Sequence, residues 1–268
     1  MGETVPESNL IPAERHAHIL TLARQHRAVK VSALSETLGV SEVTIRRDLE
    51  NLEEQGLLER THGGAVLAER MQREPLYVKK DRLHPEIKRA IGKAAAQLVN
   101  EGETIFIHSG STTRQVLAHL PHVTGLRVVT SNAAAITELS DRRDAIELIV
   151  LGGTYRWQSN SFVGSFALAT VAQINAKKTF LGVDGISVLH GLTTPIQDEA
   201  EIARAMIERT FGSIIVVADH TKMGVVAEFT TCPLAKVNTI VTDAGLGAEW
   251  RESLKEKGIS IIEVSAEE

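Results

Sequence analysis

The segment Ser41–Ala65 reads SEVTIRRDLENLEEQGLLERTHGGA and predicts a capped helix followed by a short β-hairpin. Ser41 is of a residue type that caps helix N-termini well, and the residues after it have helical periodicity. Ile45, Leu49 and Leu52 recur at spacings of four and three residues. They should therefore form one apolar stripe that faces a core.

The predicted helix carries positive charge near its beginning and negative charge near its end. Arg46 and Arg47 lie about one turn after the cap, whereas Glu50 and Glu54 come later. A helix that reads the major groove of DNA contacts bases with its N-terminal residues, so this distribution fits that role. A solvated helix with ordinary surface arginines is the alternative interpretation.

The residues before this helix predict a shorter helix and a tight turn. Leu34 and Leu38 are four residues apart, and Gly39 follows them as a residue that tolerates positive φ. Lys30 stands where a small polar cap would be expected, so the start of the short helix is ambiguous. A short helix, a glycine turn and a capped second helix together form the helix-turn-helix pattern.

The residues after the second helix predict a wing, that is, a hairpin beside the helix-turn-helix. Residues 57–62 and 65–67 should pair across a turn at 63–64. Arg60 and His62 would then meet phosphate or the minor groove of a bound duplex.

The composition is that of an ordinary globular protein. The 268 residues are 43% hydrophobic and 24% charged, which is enough to bury a sizeable core in one large or two modest domains. Aromatic residues make up only 4%, which argues against a stacking surface for single-stranded nucleic acid. The net charge of −5 does not itself indicate a nucleic-acid partner. DNA binding must therefore rest on local charge.

The sequence also bears on the compartment. The single cysteine, Cys232, excludes an internal disulfide framework and fits a reducing compartment. No secretory signal is visible, and the longest apolar runs, such as 214–218, are too short to span a bilayer. We therefore expect a cytoplasmic protein without a membrane partner.

Two stretches differ in composition from the rest of the chain. Residues 1–12 are polar and predict a disordered tail, and residues 69–84 crowd charges around Pro75 and Tyr77. We interpret 69–84 as an interdomain linker that could include a short helix and whose charges are simply solvated.

The remaining chain alternates apolar runs with helical patterns, which predicts a mostly parallel sheet covered by helices on both faces. Strands are expected at 104–108, 126–130, 146–151, 179–183, 214–218, 239–242 and 259–264, and helices at 86–99, 112–120, 133–139, 166–174, 199–211 and 248–257.

Small hydroxyl, glycine and charged residues follow several of these strands. Ser109–Thr113 stands between a strand and a helix, where free N–H groups and the helix dipole suit a phosphate. Lys222 would add positive charge, and acids at other strand ends would bind sugar hydroxyls. Helix caps and ordinary turns explain each piece separately. Neither GxxxxGK[ST] nor GxGxxG occurs, so nucleotide motifs are absent.

The run Thr44–Ala65 closely resembles the winged helix-turn-helix signature of DeoR-type bacterial transcription regulators. The second half resembles their sensor domain, which is similar in fold to ribose-5-phosphate isomerase and CoA transferases. The resemblance implies a winged domain at 13–68 with its helix-turn-helix at 29–48, and an effector-sensing α/β domain at 85–264. It implies a repressor of carbohydrate metabolism genes that binds a double-stranded operator as a dimer or tetramer and is relieved by a phosphorylated sugar.

Candidate site residues follow from the motifs and from this resemblance. The DNA-binding candidates are Ser41, Val43, Thr44, Arg46, Arg47, Arg60, His62, Gly63 and Gly64. The effector-binding candidates are His108, Ser109, Gly110, Ser111, Thr112, Thr113, Ser131, Asn132, Gly152, Gly153, Asp184, Gly185, Glu199 and Lys222. His108 occupies a position where the family often has Asp, which would alter sugar specificity or pH response, or would be a structural histidine.

The competing interpretation is a sugar-phosphate isomerase-like enzyme with an appended DNA-binding module. The related isomerases carry a denser acidic motif after the fourth strand, whereas Asp184–Ser187 supplies one acid here. His16 and His18 are the only histidines near metal-ligand spacing. We therefore expect no catalysis, no cofactor and no metal.

Overall fold

The computed structural model describes residues 10–26, 28–61, 63–67, 69–71, 74, 76–142 and 144–265. Most of the predicted tail and His62 lie outside these residues, and Pro12 already belongs to the first helix. The N-terminal domain consists of α1 (Pro12–His26), β1 (Ala28–Lys30), α2 (Val31–Leu38), α3 (Glu42–Glu54), β2 (Leu58–Arg60) and β3 (Gly64–Leu67).

This domain is a winged helix-turn-helix, as predicted. The predicted stripe on α3 is buried, with Ile45 and Leu49 fully inaccessible, and it packs on Ile19 of α1. Gly39 ends α2 with φ of 63°, whereas Lys30 begins that helix without a side-chain cap. The two wing strands pair antiparallel, and β1 joins them as a third strand against β3.

The segment between the domains has regular structure and paired charges. It contains β4 (Glu69–Arg70) and α4 (Tyr77–Arg82). Glu74 pairs with Arg156 at 2.8 Å, and Asp81 pairs with Arg114 at 2.8 Å. These partners belong to the second domain, so the interpretation of the segment's charges as simply solvated is wrong.

The C-terminal domain is built on seven parallel strands, as predicted. Its elements are α5 (Pro85–Ala96), β5 (Thr104–Ile107), α6 (Ser111–Ala118), β6 (Leu126–Thr130), α7 (Ala135–Glu138), β7 (Ile146–Val150), β8 (Thr154–Arg156), β9 (Ser161–Val163), α8 (Ser165–Val171), β10 (Ala176–Gly182), β11 (Gly185–Ser187), β12 (Gly191–Thr194), α9 (Gln197–Glu208), β13 (Thr210–Val217), β14 (Val225–Val226), β15 (Phe229–Cys232), β16 (Thr239–Asp243), α10 (Ala248–Glu256) and β17 (Ser260–Val264).

The strand order in the large sheet is β17-β16-β13-β10-β5-β6-β7. Alternate side chains of one strand enter different cores, because successive residues point to opposite faces. Ile105 and Ile107 pack with α5 and α6, whereas Phe106 packs with α8 and α9. The sheet is therefore covered on both faces, which is the arrangement that its apolar strands require.

Three smaller pairings were not predicted. Strands β11, β12 and β15 form an antiparallel sheet, β8 and β9 form a hairpin, and β14 pairs with β4. The helix predicted at 199–211 ends at Glu208, because Thr210 already pairs with Ala176 as the first residue of β13.

The two domains share a core. Ala28 and Val66 of the winged domain lie in the same hydrophobic cluster as Trp250 and Leu254 of α10. Trp250 is 1% exposed, so the junction between the domains is closed to water at this point.

Candidate functional site

The beginning of α3 presents polar and apolar groups to solvent. Ser41 caps the helix by accepting a hydrogen bond from the Thr44 N–H at 3.2 Å, as the sequence predicts. Val43 is 73% exposed, which is unusual for a β-branched apolar side chain. Apolar contact with a thymine methyl group is one way in which such a side chain reads DNA.

The two arginines of α3 differ in their surroundings. Arg46 is exposed and donates to Glu42 at 2.6 Å, one turn earlier on the same helix. Arg47 is exposed and has no salt-bridge partner in the described part of the chain. Its guanidinium is therefore available for a base edge or a phosphate oxygen.

Asp48, the next residue, points inward. Its carboxylate accepts two hydrogen bonds from Arg15 of α1, at 2.7 and 2.9 Å, and lies 3.1 Å from the ring of His16. The hydrogen bond that Arg15 donates to Asp48 raises the pKa of Arg15 above its ordinary value. Asp48 therefore fastens α3 to α1 and does not contribute negative charge to the exposed face.

Three of the four wing residues predicted to contact DNA lie within the described part of the chain, and the structure gives their surroundings. The Arg60 guanidinium donates to the carbonyl of Arg46 at 3.0 Å and lies 3.6 Å from Glu50, so its charge is held along α3. A Cβ at Gly64 would lie 1.9 Å from the Val29 carbonyl oxygen, so this glycine is required by the approach of β1. Gly63 has open space around it, and His62 lies outside the described residues.

A second site lies at the carboxyl ends of strands β5, β10 and β13, which are neighbours in the sheet. It is a cavity of about 130 Å³. Eight of the predicted effector-binding residues line it: His108, Ser109, Gly110, Ser111, Thr112, Asp184, Glu199 and Lys222.

The other predicted residues do not line the cavity, and strand order explains most of them. Ser131 and Asn132 follow β6, and Gly152 and Gly153 follow β7, which lie one and two strands beyond β5. Thr113 is fully buried and donates to the Gly110 carbonyl oxygen at 3.0 Å.

Several of these residues shape the turn before α6 instead. The Ser131 hydroxyl accepts from the Ser109 N–H at 3.0 Å, and the Asn132 amide donates to the Gly110 carbonyl at 3.0 Å. Gly185 packs against the Val225 carbonyl oxygen, where a Cβ would come within 2.2 Å.

The cavity is also lined by residues that the sequence-based list missed. Those from α4 and the turn after it had been assigned to the linker: Tyr77, Lys80, Leu83 and His84. The rest come from α5 and from strand ends: Lys88, Ser159, Gly182, Val183, Thr194, Asp219 and Thr221. The density of Lys residues before and within α5 was the only sequence signal for the first group.

One end of the cavity is rich in N–H groups and cations. Gly110 precedes α6 without any side-chain cap on the first turn of that helix. Lys88 donates to the carbonyl of Leu83 at 2.7 Å, and burial lowers its pKa. Burial raises the pKa of Asp219, but hydrogen bonds from Thr221 and the charge of Lys222 outweigh it, so the net pKa is lowered.

The other end carries carboxylates and a histidine. Asp184 accepts hydrogen bonds from Lys80 and, at 3.0 Å, from Thr194. Glu199 accepts from Ser161 at 2.9 Å. His108 lies near both acids, and burial lowers its pKa. One nitrogen of His108 lies 3.2 Å from the Glu199 carbonyl, and Nδ1 has no partner among the described residues.

In the ranges that the structure describes, no three His, Cys, Asp or Glu residues are grouped to hold a metal ion. None of the described helices combines the length and hydropathy that a membrane span needs.

Two family models match the chain. The DeoR-like helix-turn-helix domain matches residues 15–71, and the DeoR C terminal sensor domain matches residues 83–244. The first segment contains helix α3, and the second contains most of the residues that line the cavity.

Full-length relatives agree with these matches. The chain is 34% identical to the HTH-type transcriptional regulator GlpR of Haloferax volcanii over 95% of this chain and 98% of that protein. It is 29% identical to the HTH-type transcriptional repressor GlcR of Bacillus subtilis over 95% and 97%.

Among solved structures, ribose 5-phosphate isomerase A of Methanocaldococcus jannaschii matches with 16% identity and a TM-score of 0.38, over 52% of this chain and 54% of that one. This likeness is too slight to bear on function. The family matches and the relatives do bear on it, and the chain belongs to the DeoR family of DNA-binding transcriptional regulators.

Proposed function

We propose that this regulator is a repressor of carbohydrate metabolism genes whose hold on DNA is released by a phosphorylated sugar bound in the cavity. The observation that carries this proposal is the combination of an uncapped helix N-terminus and lysines with buried carboxylates in one cavity. The helix N-terminus and the lysines would bind a phosphate, and the carboxylates would bind the hydroxyl groups of a polyol.

The phosphate would lie against the first turn of α6. The N–H groups of Ser111 and Thr112 are of the kind that a helix leaves unsatisfied, and the helix dipole adds a partial positive charge there. Lys222, which also lines the cavity, would contribute a full charge. The Ser109 N–H does not take part, because it is already bonded to Ser131.

The sugar hydroxyls would bind at the acidic end. Asp184 and Glu199 offer carboxylate oxygens to them. Asp184 already has Lys80 as a partner, so a hydroxyl group would have to compete with that lysine.

The DNA contact would be made by α3. Arg47 would read a base edge or hold a phosphate, and Val43 would contact a base methyl group. We propose that a homo-oligomer presents two such helices to a repeated or palindromic operator, since one short helix gives limited specificity. A DNA partner also implies a cytoplasmic location.

The names of the two relatives support the sign of regulation and the absence of catalysis. One is named a transcriptional repressor and the other a transcriptional regulator. We propose that the chain has no enzymatic activity, no cofactor and no metal. The alternative, a sugar-phosphate isomerase, predicts turnover, and incubation of the protein with pentose and hexose phosphates tests it directly.

The main test is thermal unfolding in the presence of a panel of sugar phosphates, with free sugars and inorganic phosphate as comparisons. A ligand that binds only the folded state stabilises it by RT ln(1 + [L]/Kd), so a specific sugar phosphate raises Tm further as its concentration exceeds its Kd. If inorganic phosphate raises Tm as much as the sugar phosphates do, the sugar part of the ligand contributes nothing to binding.

A further inference from the structure

Two cavity residues of opposite charge, Asp184 and Lys222, each begin a short segment that runs to the winged domain. Asp184 is followed directly by β11, and Lys222 is followed by Met223, Gly224 and β14. The two segments contact each other, because the Gly224 N–H donates to the Ile186 carbonyl at 2.9 Å.

The first segment ends on a buried acid of the wing. Ser187, the last residue of β11, donates its hydroxyl to Glu59 of β2 at 2.6 Å, and the Val188 N–H donates to the same carboxylate at 2.8 Å. Asp184 and Ser187 are three residues apart, which is about 10 Å along a strand. The cavity and the wing are therefore joined by a single strand.

The Glu59 carboxylate depends on this contact. Glu59 is 3% exposed, and within the described ranges every hydrogen bond to its carboxylate comes from residues 187–189 of the other domain. A buried carboxylate without hydrogen bonds is strongly unfavourable. A shift of β11 must therefore either carry the wing with it or expose Glu59 to water.

The second segment reaches the wing through the main chain. A Cβ at Gly224 would lie 2.3 Å from the Leu67 carbonyl oxygen of β3, and φ there is +77°, so only glycine fits without strain. Val225 and Val226 then pair with Glu69 and Arg70, the residues that follow the wing.

We propose that these two segments transmit occupancy of the cavity to the wing, with Glu59 as the positioning residue that receives it. The inference rests on the proposed function, in which a ligand spans the cavity between Lys222 and Asp184. Such a ligand displaces Lys80 from Asp184 and moves the beginnings of both segments. The wing follows through Glu59 and Gly224, so its position relative to α3 differs between the empty and the occupied protein.

The experiment needs neither DNA nor a ligand. Hydrogen–deuterium exchange of the wing peptide, residues 57–67, is measured by mass spectrometry in the full chain, in Asp184→Asn, in Ser187→Ala and in the double variant. Asp184→Asn weakens the attraction of Lys80, so it should raise exchange in the wing about fivefold, the lower end of usual coupling between sites. With Ser187→Ala present, the further effect of Asp184→Asn should fall below about twofold.

Two matched variants control for the charge change. Asp198→Asn removes an exposed acid of α9 outside the cavity, and it should leave wing exchange unchanged. Glu59→Gln repeats the double-variant measurement from the other side of the contact, should Ser187→Ala fail to fold. Its control is Glu54→Gln, which removes an exposed acid of α3.

Two outcomes would contradict the proposal. An unchanged wing in Asp184→Asn overturns the proposal, and so does an effect of equal size with and without the Ser187 hydroxyl. Failure of every sugar phosphate to bind would remove the proposed function but would leave this exchange result standing, because no step of the experiment uses a sugar phosphate.

Discussion

The exposed face of α3 and the cavity of the C-terminal domain differ in whether their charged side chains already have partners. Arg47 is exposed and unpaired among the described residues, so it can meet DNA without giving up another contact. Asp184 is buried and already holds Lys80 and Thr194. A ligand of the proposed kind would therefore have to replace existing partners of Asp184, whereas a DNA contact by Arg47 would replace none.

The largest expected effect concerns Asp48, the residue that fastens α3 to α1. Asp48→Ala leaves Arg15 buried without its carboxylate, so we expect a loss of about 3–5 kcal/mol in the free energy of unfolding of the winged domain, measured with urea. Glu42→Ala removes the exposed partner of Arg46 and should cost at most about 1 kcal/mol. Similar losses in both variants would show that Asp48 is not a structural anchor.

The next effect tests the cationic end of the cavity. Lys222→Met removes a charge and keeps most of the side-chain volume, so glucose 6-phosphate or ribose 5-phosphate should bind about 1.5–3 kcal/mol more weakly by calorimetry. DNA affinity without a sugar phosphate should stay the same. Lys79→Met, on the exposed side of α4, is the matched control. Unaltered sugar-phosphate affinity in Lys222→Met would show that the phosphate does not bind at Lys222.

A smaller effect tests the free arginine of α3. Arg47→Ala should weaken binding to a duplex selected by the protein from a random pool by about 1–3 kcal/mol, because a base or phosphate contact is lost. Arg24→Ala removes the same charge from an exposed position on α1 and controls for nonspecific attraction. Equal losses in the two variants would reduce the role of Arg47 to general electrostatics.

The smallest effect concerns pH. Burial lowers the pKa of His108 below its ordinary 6.5, although the charges of Glu199 and Asp184 oppose this shift. The unfolded chain therefore takes up a proton more readily than the folded protein, and stability falls as the pH drops below 6.5. The contribution of this residue is at most about 1.4 kcal/mol per pH unit.

The measurement is the pH dependence of unfolding in the wild type, in His108→Asn and in His122→Asn, where His122 is exposed. His108→Asn should flatten the curve below pH 6.5, whereas His122→Asn should not. A parallel curve for all three proteins would show that His108 takes up its proton as readily in the folded state.

The winged domain was predictable from the sequence because its determinants are local. The Ser41 cap, the Gly39 turn and the stripe of Ile45, Leu49 and Leu52 act within a few residues of one another. The inward direction of Asp48 was not predictable, because its partner Arg15 lies 33 residues away.

The cavity was only partly predictable, and the reason is strand order. Sequence identifies the strands and the polar residues after them, but it does not show that β13, β10 and β5 are neighbours. Ser131 and Gly152 look equivalent to Ser109 until the sheet is assembled. Lys80 was missed for a related reason. It lies in a run of charged residues, and the sequence gives no sign that its partner is the carboxylate of Asp184, 104 residues away.

The pairing of β4 with β14 has a consequence for how such proteins change over evolution. It is made by main-chain groups of Glu69 and Arg70 with Val225 and Val226, and main-chain hydrogen bonds do not depend on side-chain identity. The connecting segment can therefore accumulate substitutions, and the sensor can acquire a new ligand, while this attachment to the winged domain persists. Ser187 and Glu59 have no such freedom, so a change in either one calls for a compensating change in the other.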